Sequence, residues 1–143
     1  MGLLRLTHER PEVAPDVTVR ETIKLMSAAE IGAIAVKSGE HIVGIFTERD
    51  LMKRVVNAGL DPDTTPIKSV MTANVVSVLD STSVASAAAL MRARRMRHLV
   101  IVDQNGTYLG MLALRHLLYE LMSELSIKVD DLSGYLMADG PGG

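Results

Sequence analysis

Cysteine and tryptophan are missing from this chain of 143 residues, and other aromatics are scarce: one Phe and three Tyr. The lack of thiols excludes disulfides, thiolate metal sites and cysteine nucleophiles, and it fits a cytoplasmic location. So few aromatic rings offer little on which bases could stack, which argues against a single-stranded nucleic-acid platform. An excess of positive charge is missing too. The formal net charge of −2 gives no general attraction for nucleic acid or anionic membrane. No apolar run approaches the ~18 residues of a membrane span, and residues 1–10 lack the apolar stretch of a signal peptide. A soluble, intracellular chain is expected.

Catalytic signatures are lacking as well. His8, His41, His98 and His116 show no metal-ligand spacing, and the pair Asp130-Asp131 falls in a polar stretch near the C-terminus. There is no nucleophile elbow, phosphate loop or dinucleotide-binding glycine pattern. No enzyme, metal site or prosthetic group is expected.

What the chain has in quantity is small and aliphatic apolar residues, arranged as an internal repeat. Val17-Thr18-Val19 with Leu25-Met26 recurs as Thr82-Ser83-Val84 with Leu90-Met91, and Val43-Gly44-Ile45-Phe46 recurs as Leu109-Gly110-Met111-Leu112. Each copy reads as strand, helix, strand, strand, helix. In the second, Val75–Val78 is a short strand. Ser83 can cap a helix whose apolar positions Val84, Ala87, Ala88 and Met91 follow the helical spacing. Leu99–Val102, the turn at Asn105-Gly106 and Tyr108–Leu112 form a hairpin. In the first copy Ala33–Val36, Ser38-Gly39 and Ile42–Phe46 do the same. Closing helices carry Leu51, Met52, Val55 and Val56, and Leu117, Leu118, Leu121, Met122 and Leu125. Separate units would expose a large apolar face, so the copies should pack together with their sheets side by side. The expected organisation is a first repeat at 7–58, a turn-rich linker at 59–71, a second repeat at 72–124 and a disordered tail at 125–143.

Three motifs then coincide with a known family: Ser69-Val70-Met71-Thr72, the strand Met96-Arg97-His98-Leu99-Val100-Ile101-Val102-Asp103, and Gly44-Ile45-Phe46-Thr47-Glu48-Arg49-Asp50. With these the sequence resembles tandem cystathionine-β-synthase-type (CBS) domains, also called a Bateman module, over about residues 6–124. The start of the first copy is less regular, with Arg5-Leu6-Thr7 where Val70-Met71-Thr72 stands in the second. The resemblance implies an α/β (α+β) fold of two β-α-β-β-α repeats in one pseudo-symmetric globule. It also implies a cleft between repeats for an adenosine ligand: AMP, ADP, ATP, S-adenosylmethionine or NAD.

Thr47 and Asp50 bracket a strand-to-helix transition. A carboxylate there can accept hydrogen bonds from a ribose diol; the plainer alternative is a capping box that merely starts the helix, and the two can coexist. The matching Ala113-Leu114-Arg115-His116 has lost both the hydroxyl and the carboxylate, so one competent site per chain is expected. By the family pattern the phosphate ligands come from the other copy: Arg97, His98 and Arg115. Gly32 and Ala33 stand where those cations would be on the complementary side, with only Arg49 remaining. Ile45, Val76 and Met96 are candidates for the adenine surface, with ordinary core as the alternative for each. Arg92, Arg94 and Arg95 read as a solvated helix end, favoured by the helix dipole.

The resulting expectation is a non-catalytic sensor that binds an adenine nucleotide, pairs as a homodimer through its terminal helices, including Leu51, Val55, Leu117, Leu121 and Leu125, and acts on a separate, unidentified protein. The competing readings are a ligand-independent interaction module and a nucleic-acid binder using the Arg92–Arg97 cluster. Near-neutral charge weakens the second.

Overall fold

A computed structural model describes residues 2–7 and 10–138, with residues 127–138 described as helix backbone only. His8 and the end of the expected tail, 139–143, lie outside the described residues. The first repeat comprises β1 (Glu12–Val13), α1 (Val19–Ala29), β2 (Ala33–Ser38), β3 (His41–Thr47) and α2 (Glu48–Asp50), which runs directly into a π-helical stretch, Leu51–Val56. The second comprises β4 (Ser77–Leu79), α3 (Val84–Arg94), β5 (His98–Val102), β6 (Tyr108–Ala113) and α4 (Leu114–Ala138). Each forms a three-stranded sheet, β1-β2-β3 or β4-β5-β6, with its first pair parallel and its second antiparallel.

The repeat is visible in the local chemistry. Thr18 caps α1 by accepting from the Glu21 N–H at 3.2 Å, and Ser83 caps α3 by accepting from the Ser86 N–H at 3.1 Å. Both helices end in a left-handed residue that is not glycine: Glu30 at φ 55° and Arg95 at φ 53°. A side chain in that region is strained. The reversal is what turns each helix back onto its sheet within three residues.

Each repeat is completed by the other's leading segment. A 3-10 turn at Leu3–Leu6 precedes the first repeat, yet Leu3 is 1% exposed within the second repeat's core, beside Met91, Leu99, Leu112 and Leu117. There the N–H groups of Leu3 and Leu4 donate to the backbone and side chain of Asp80. Conversely the turn Ile67–Ser69 precedes the second repeat, and Ile67, Val70 and Met71 pack with Phe46, Val36 and Met26 of the first. Gly44 and Gly110 occupy equivalent places beneath these crossings, where a Cβ would run into Met71 or Leu4.

A third core joins the repeats. The sheets meet through their faces: Ala33 and Ala35 of β2 oppose Val100 of β5 and Tyr108 and Met111 of β6. The alternation of side chains along β2 sends Ile34 and Val36 the other way, toward the first repeat's helix layer. Tyr108 is buried, its hydroxyl donating to the Pro11 carbonyl at 2.9 Å, and burial pushes its pKa upward.

Three sequence expectations are corrected. Strand β4 begins at Ser77 rather than Val75, which leaves Val75 and Val76 outside the ladder. Val55 and Leu117, expected at a dimer surface, are buried in their own repeats, while Met52, Val56, Leu118, Met122 and Leu125 are exposed. The tail expected from 125 is helical through Ala138. Its polar residues Ser126, Asp130, Asp131 and Ser133 interrupt the apolar count without breaking the helical period, and no proline intervenes before Pro141.

Because the exchange puts Leu3 into a distant core, Leu3→Ala should lower the free energy of unfolding by about 3 kcal/mol, the usual cost of such a cavity. Leu60→Ala, in the exposed linker, should change it by less than about 0.5 kcal/mol. Urea unfolding of both variants measures the contrast.

Candidate functional site

The site grows from the end of β3. Thr47 is its last residue and the N-cap of α2, and Asp50 lies in the first helical turn. A full capping box forms. The Asp50 N–H donates to the Thr47 hydroxyl at 3.3 Å, and Asp50 Oδ2 accepts from the Thr47 N–H at 3.0 Å. The carboxylate is held on its other side as well: Oδ1 accepts from the Thr72 hydroxyl at 3.0 Å and lies 3.6 Å from Arg54 Nε. Asp50 is only 6% exposed, and it carries the one carboxylate among the buried residues described. The capping role is therefore real, and it fixes the rotamer of an acceptor that any occupant of the cleft would meet.

Above Asp50 opens a cleft of about 360 Å³ between the repeats. One wall is Gly32, Ile45, Thr47, Glu48 and Arg49 from the first repeat; the other is Asn74, Val75 and Val76, then Arg94 to His98, from the second. The wall from the second repeat is carried across by paired backbone hydrogen bonds: Ile45 N–H to Thr72 O at 2.9 Å and Thr72 N–H to Ile45 O at 2.8 Å. Val75 and Val76, free of the β4 ladder, supply apolar surface, with Met96 and Ile45 beside them.

Of the eight residues singled out from sequence, Thr47, Asp50, Ile45, Val76, Met96, Arg97 and His98 line this one cleft. Arg115 does not. It stands in the first turn of α4, and its charge reaches the cleft through its effect on His98. Arg94 and Arg95, read from sequence as solvated, line the cleft because the left-handed turn at Arg95 swings the end of α3 over it; Arg92 does not, lining instead a groove between α3 and α4. Gly32 and Arg49, expected on the complementary side, belong to this cleft as well. Thr72 was missed as a partner of Asp50. Its signal was present in Ser69-Val70-Met71-Thr72, but only the crossing of the chain between repeats reveals what the hydroxyl touches.

The two sides of the pseudo-symmetry differ in charge. Where this cleft has Thr47, Asp50, Arg95, Arg97 and His98, the equivalent positions hold Ala113, His116, Glu30, Gly32 and Ala33. An acid thus replaces a base at the left-handed corner.

His98 opens β5 and is mostly enclosed. Burial, followed by the charges of Arg115, Arg97 and His116, lowers its pKa from 6.5 to about 4. At neutral pH it is an uncharged imidazole, able to donate or accept a hydrogen bond, while the arginines carry the positive field.

The arrangement defines a class: a two-repeat α+β module with a ligand-sized, cation-lined cleft between its halves. The family model for the CBS domain matches residues 6–57 and again 67–123. The chain belongs to the CBS-domain family, as a tandem pair, and CBS pairs are typically non-catalytic regulatory modules. Among relatives, CBS domain-containing protein YhcV of Bacillus subtilis is 35% identical over 121 residues, covering 85% of both chains. A 17.7 kDa protein of Acidianus ambivalens is 35% identical over 111 residues, 77% of this chain and 66% of that one. Among solved structures, a signal-transduction protein with CBS domains from Burkholderia ambifaria superposes with a TM-score of 0.79 at 31% identity, covering 86% of this chain and 95% of the other. PAE2072 of Pyrobaculum aerophilum, a CBS domain protein solved with AMP, gives 0.75 at 26% identity, with coverage of 86% and 99%. No described helix is long and apolar enough to cross a membrane, and the described residues contain no metal-binding cluster.

Two outcomes follow. Since folded His98 resists the proton that the unfolded chain accepts below pH 6.5, stability should fall as pH drops from about 6.5 to about 4, by about 3 kcal/mol at most. His98→Gln should lose that share of the slope in denaturant titrations across the window. Arg95→Gly should stabilise the fold by about 1 kcal/mol, through relief of the left-handed strain, while removing a cation from the cleft.

Proposed function

We propose that this chain is a sensor that binds an adenine nucleotide in the cleft between its repeats. The observation that carries the reading is Asp50: a nearly buried, rigidly held carboxylate at the base of a cleft whose opposite wall bears Arg94, Arg95 and Arg97. A ligand matching both ends needs hydroxyl donors at one and negative charge at the other, as a ribose 5′-phosphate has. Ribose hydroxyls would replace the Thr47 and Thr72 hydroxyls as donors to Asp50, and the displaced threonines can turn to accept or donate in their place, so no buried group is left unpaired. The arginines offer charge-assisted bonds to phosphate. His98, neutral at pH 7, adds a hydrogen bond rather than a charge. Ile45, Val75, Val76 and Met96 provide the apolar faces between which a base can lie. AMP bound to PAE2072 supports the ligand class.

AMP, ADP and ATP are the first candidates, with NAD and S-adenosylmethionine sharing the adenosine. Arg115 acts at one remove, through the field at His98. The same reading makes the protein a cytoplasmic homodimer whose nucleotide-dependent change in arrangement is read by a separate polypeptide.

Calorimetric titration with these five ligands tests the proposal. At least one adenine nucleotide should bind, and Arg97→Ala should weaken it by about 10- to 100-fold, as expected for losing a charge-assisted contact. Asp50→Ala should weaken binding at least as much, and thermal melting of that variant separates loss of the cap from loss of the ligand contact. If none of the five binds the unaltered protein, the sensor reading fails.

A further inference from the structure

The arginines of this chain divide by what surrounds them. Arg5, Arg10, Arg20 and Arg54 each stand near a carboxylate, at 2.9, 3.8, 2.8 and 3.6 Å. Arg49, Arg94, Arg95 and Arg97 line the cleft, and none of them makes an ion pair or a side-chain hydrogen bond with another described residue. Like charges grouped without partners repel one another, and the walls of a cleft focus the field they create. An anion entering the cleft relieves that repulsion.

Helix polarity does not account for the grouping. The C-terminal end of a helix favours cations, which covers Arg92 and Arg94 in the last turn of α3. Arg95, however, stands at the left-handed corner, and Arg97 lies beyond it, past the helix. Helix α1 ends in the same kind of corner and has no basic residue in its last turn, so the fold needs no cation there. The acids of the cleft are committed elsewhere. Asp50 accepts from Thr47 and Thr72. Glu48 reaches over Gly32 toward the His98 ring: a Cβ on Gly32 would stand 3.0 Å from Glu48 Oε1 and 3.7 Å from His98 Cε1.

We infer that the cleft is built for an adenosine polyphosphate, ADP or ATP, in preference to AMP. This rests on the nucleotide reading above and extends it from the nucleoside to the phosphate chain. A monophosphate on a ribose held by Asp50 is satisfied by one bidentate guanidinium and one further donor, for which Arg97 and the adjacent His98 suffice. Arg94 and Arg95 would then be surplus. Each added phosphate brings more negative charge and more acceptor oxygens, and the end of α3 offers these two guanidiniums, across the corner from Arg97, to receive them. Arg49 belongs to the wall from the first repeat, so a phosphate chain would meet cations of both repeats. Arg94, Arg95 and Arg97 are all exposed, which leaves a longer chain room at the mouth of the cleft.

Calorimetric titration of the full chain with AMP, ADP and ATP, in EDTA so that no metal ion masks the phosphates, tests the inference. ADP and ATP should bind at least about tenfold more tightly than AMP, the scale of an added charge-assisted contact. Arg94→Gln and Arg95→Gln should each lower the ratio of ATP to AMP affinity by at least about threefold. Arg92→Gln removes the same charge from the groove between α3 and α4, and should change that ratio by less than about twofold. Thermal melting confirms that each variant is folded before the ratios are compared. AMP binding to the unaltered protein within about threefold of ATP overturns the inference and leaves the sensor reading standing. So does a ratio that survives both substitutions, or one that Arg92→Gln lowers as much as they do. If only NAD or S-adenosylmethionine binds, the inference again fails alone; if none of the five ligands binds, both fail.

Discussion

The paired backbone hydrogen bonds between Ile45 and Thr72 are the joint on which the site depends. They tie the leading segment of the second repeat to the last strand of the first, next to the residue that starts α2. From that joint the Thr72 hydroxyl reaches Asp50, Met71 lies over Gly44, and residues 74–76 run along the cleft before β4 begins. A carboxylate taken out of water is tolerated only where donors satisfy it. Asp50 has donors from both sides of the chain crossing. Its geometry is a property of the pair of repeats rather than of either one.

Much of this was legible in the sequence because it is governed by local rules. The helix caps at Thr18 and Ser83 follow from hydroxyl chemistry, the hairpins from β-branched runs around turn residues, and the repeat from spacing alone. Thr47 and Asp50 could be recognised both as a cap and as an acceptor pair, and the structure has them acting as the cap. What escaped depended on three-dimensional exchange. Leu3, at the very start, belongs to the core of the second half, and no periodicity near residue 3 says so. The arginines of α3 were indistinguishable by composition; the left-handed turn at Arg95 sorts Arg94 and Arg95 into the cleft and leaves Arg92 outside it. Arg115 was carried over from a family pattern, and its place on α4 leaves it out of the cleft lining, where it acts on His98 only through its charge. The length of α4 was hidden by polar residues that interrupt the apolar count without breaking the helical period.

The asymmetry between the halves is electrostatic more than architectural. Both left-handed corners, both glycine crossings and both capped helices are retained, so the scaffold remains a repeat. Among the positions that differ are the left-handed corner and the strand end at the cleft. Exchanging Glu30 for Arg95, or Ala113 for Thr47, changes what a cleft attracts without altering the path of the chain. The same corner and cap positions thus carry different chemistry in the two repeats.

The exchange of leading segments also sets the order in which the chain can be completed during synthesis. The first repeat lacks Ile67 and Val70 until well after its own last helix has been made, so its core cannot close when its strands first emerge. Leu3 waits far longer, since the pocket it fills requires Leu99, Leu112 and Leu117. Leu3 is thus made long before the residues among which it packs. Contacts of such long sequence separation slow folding and leave apolar surface uncovered meanwhile. A first half made alone would leave uncovered the core surface that Ile67 and Val70 bury.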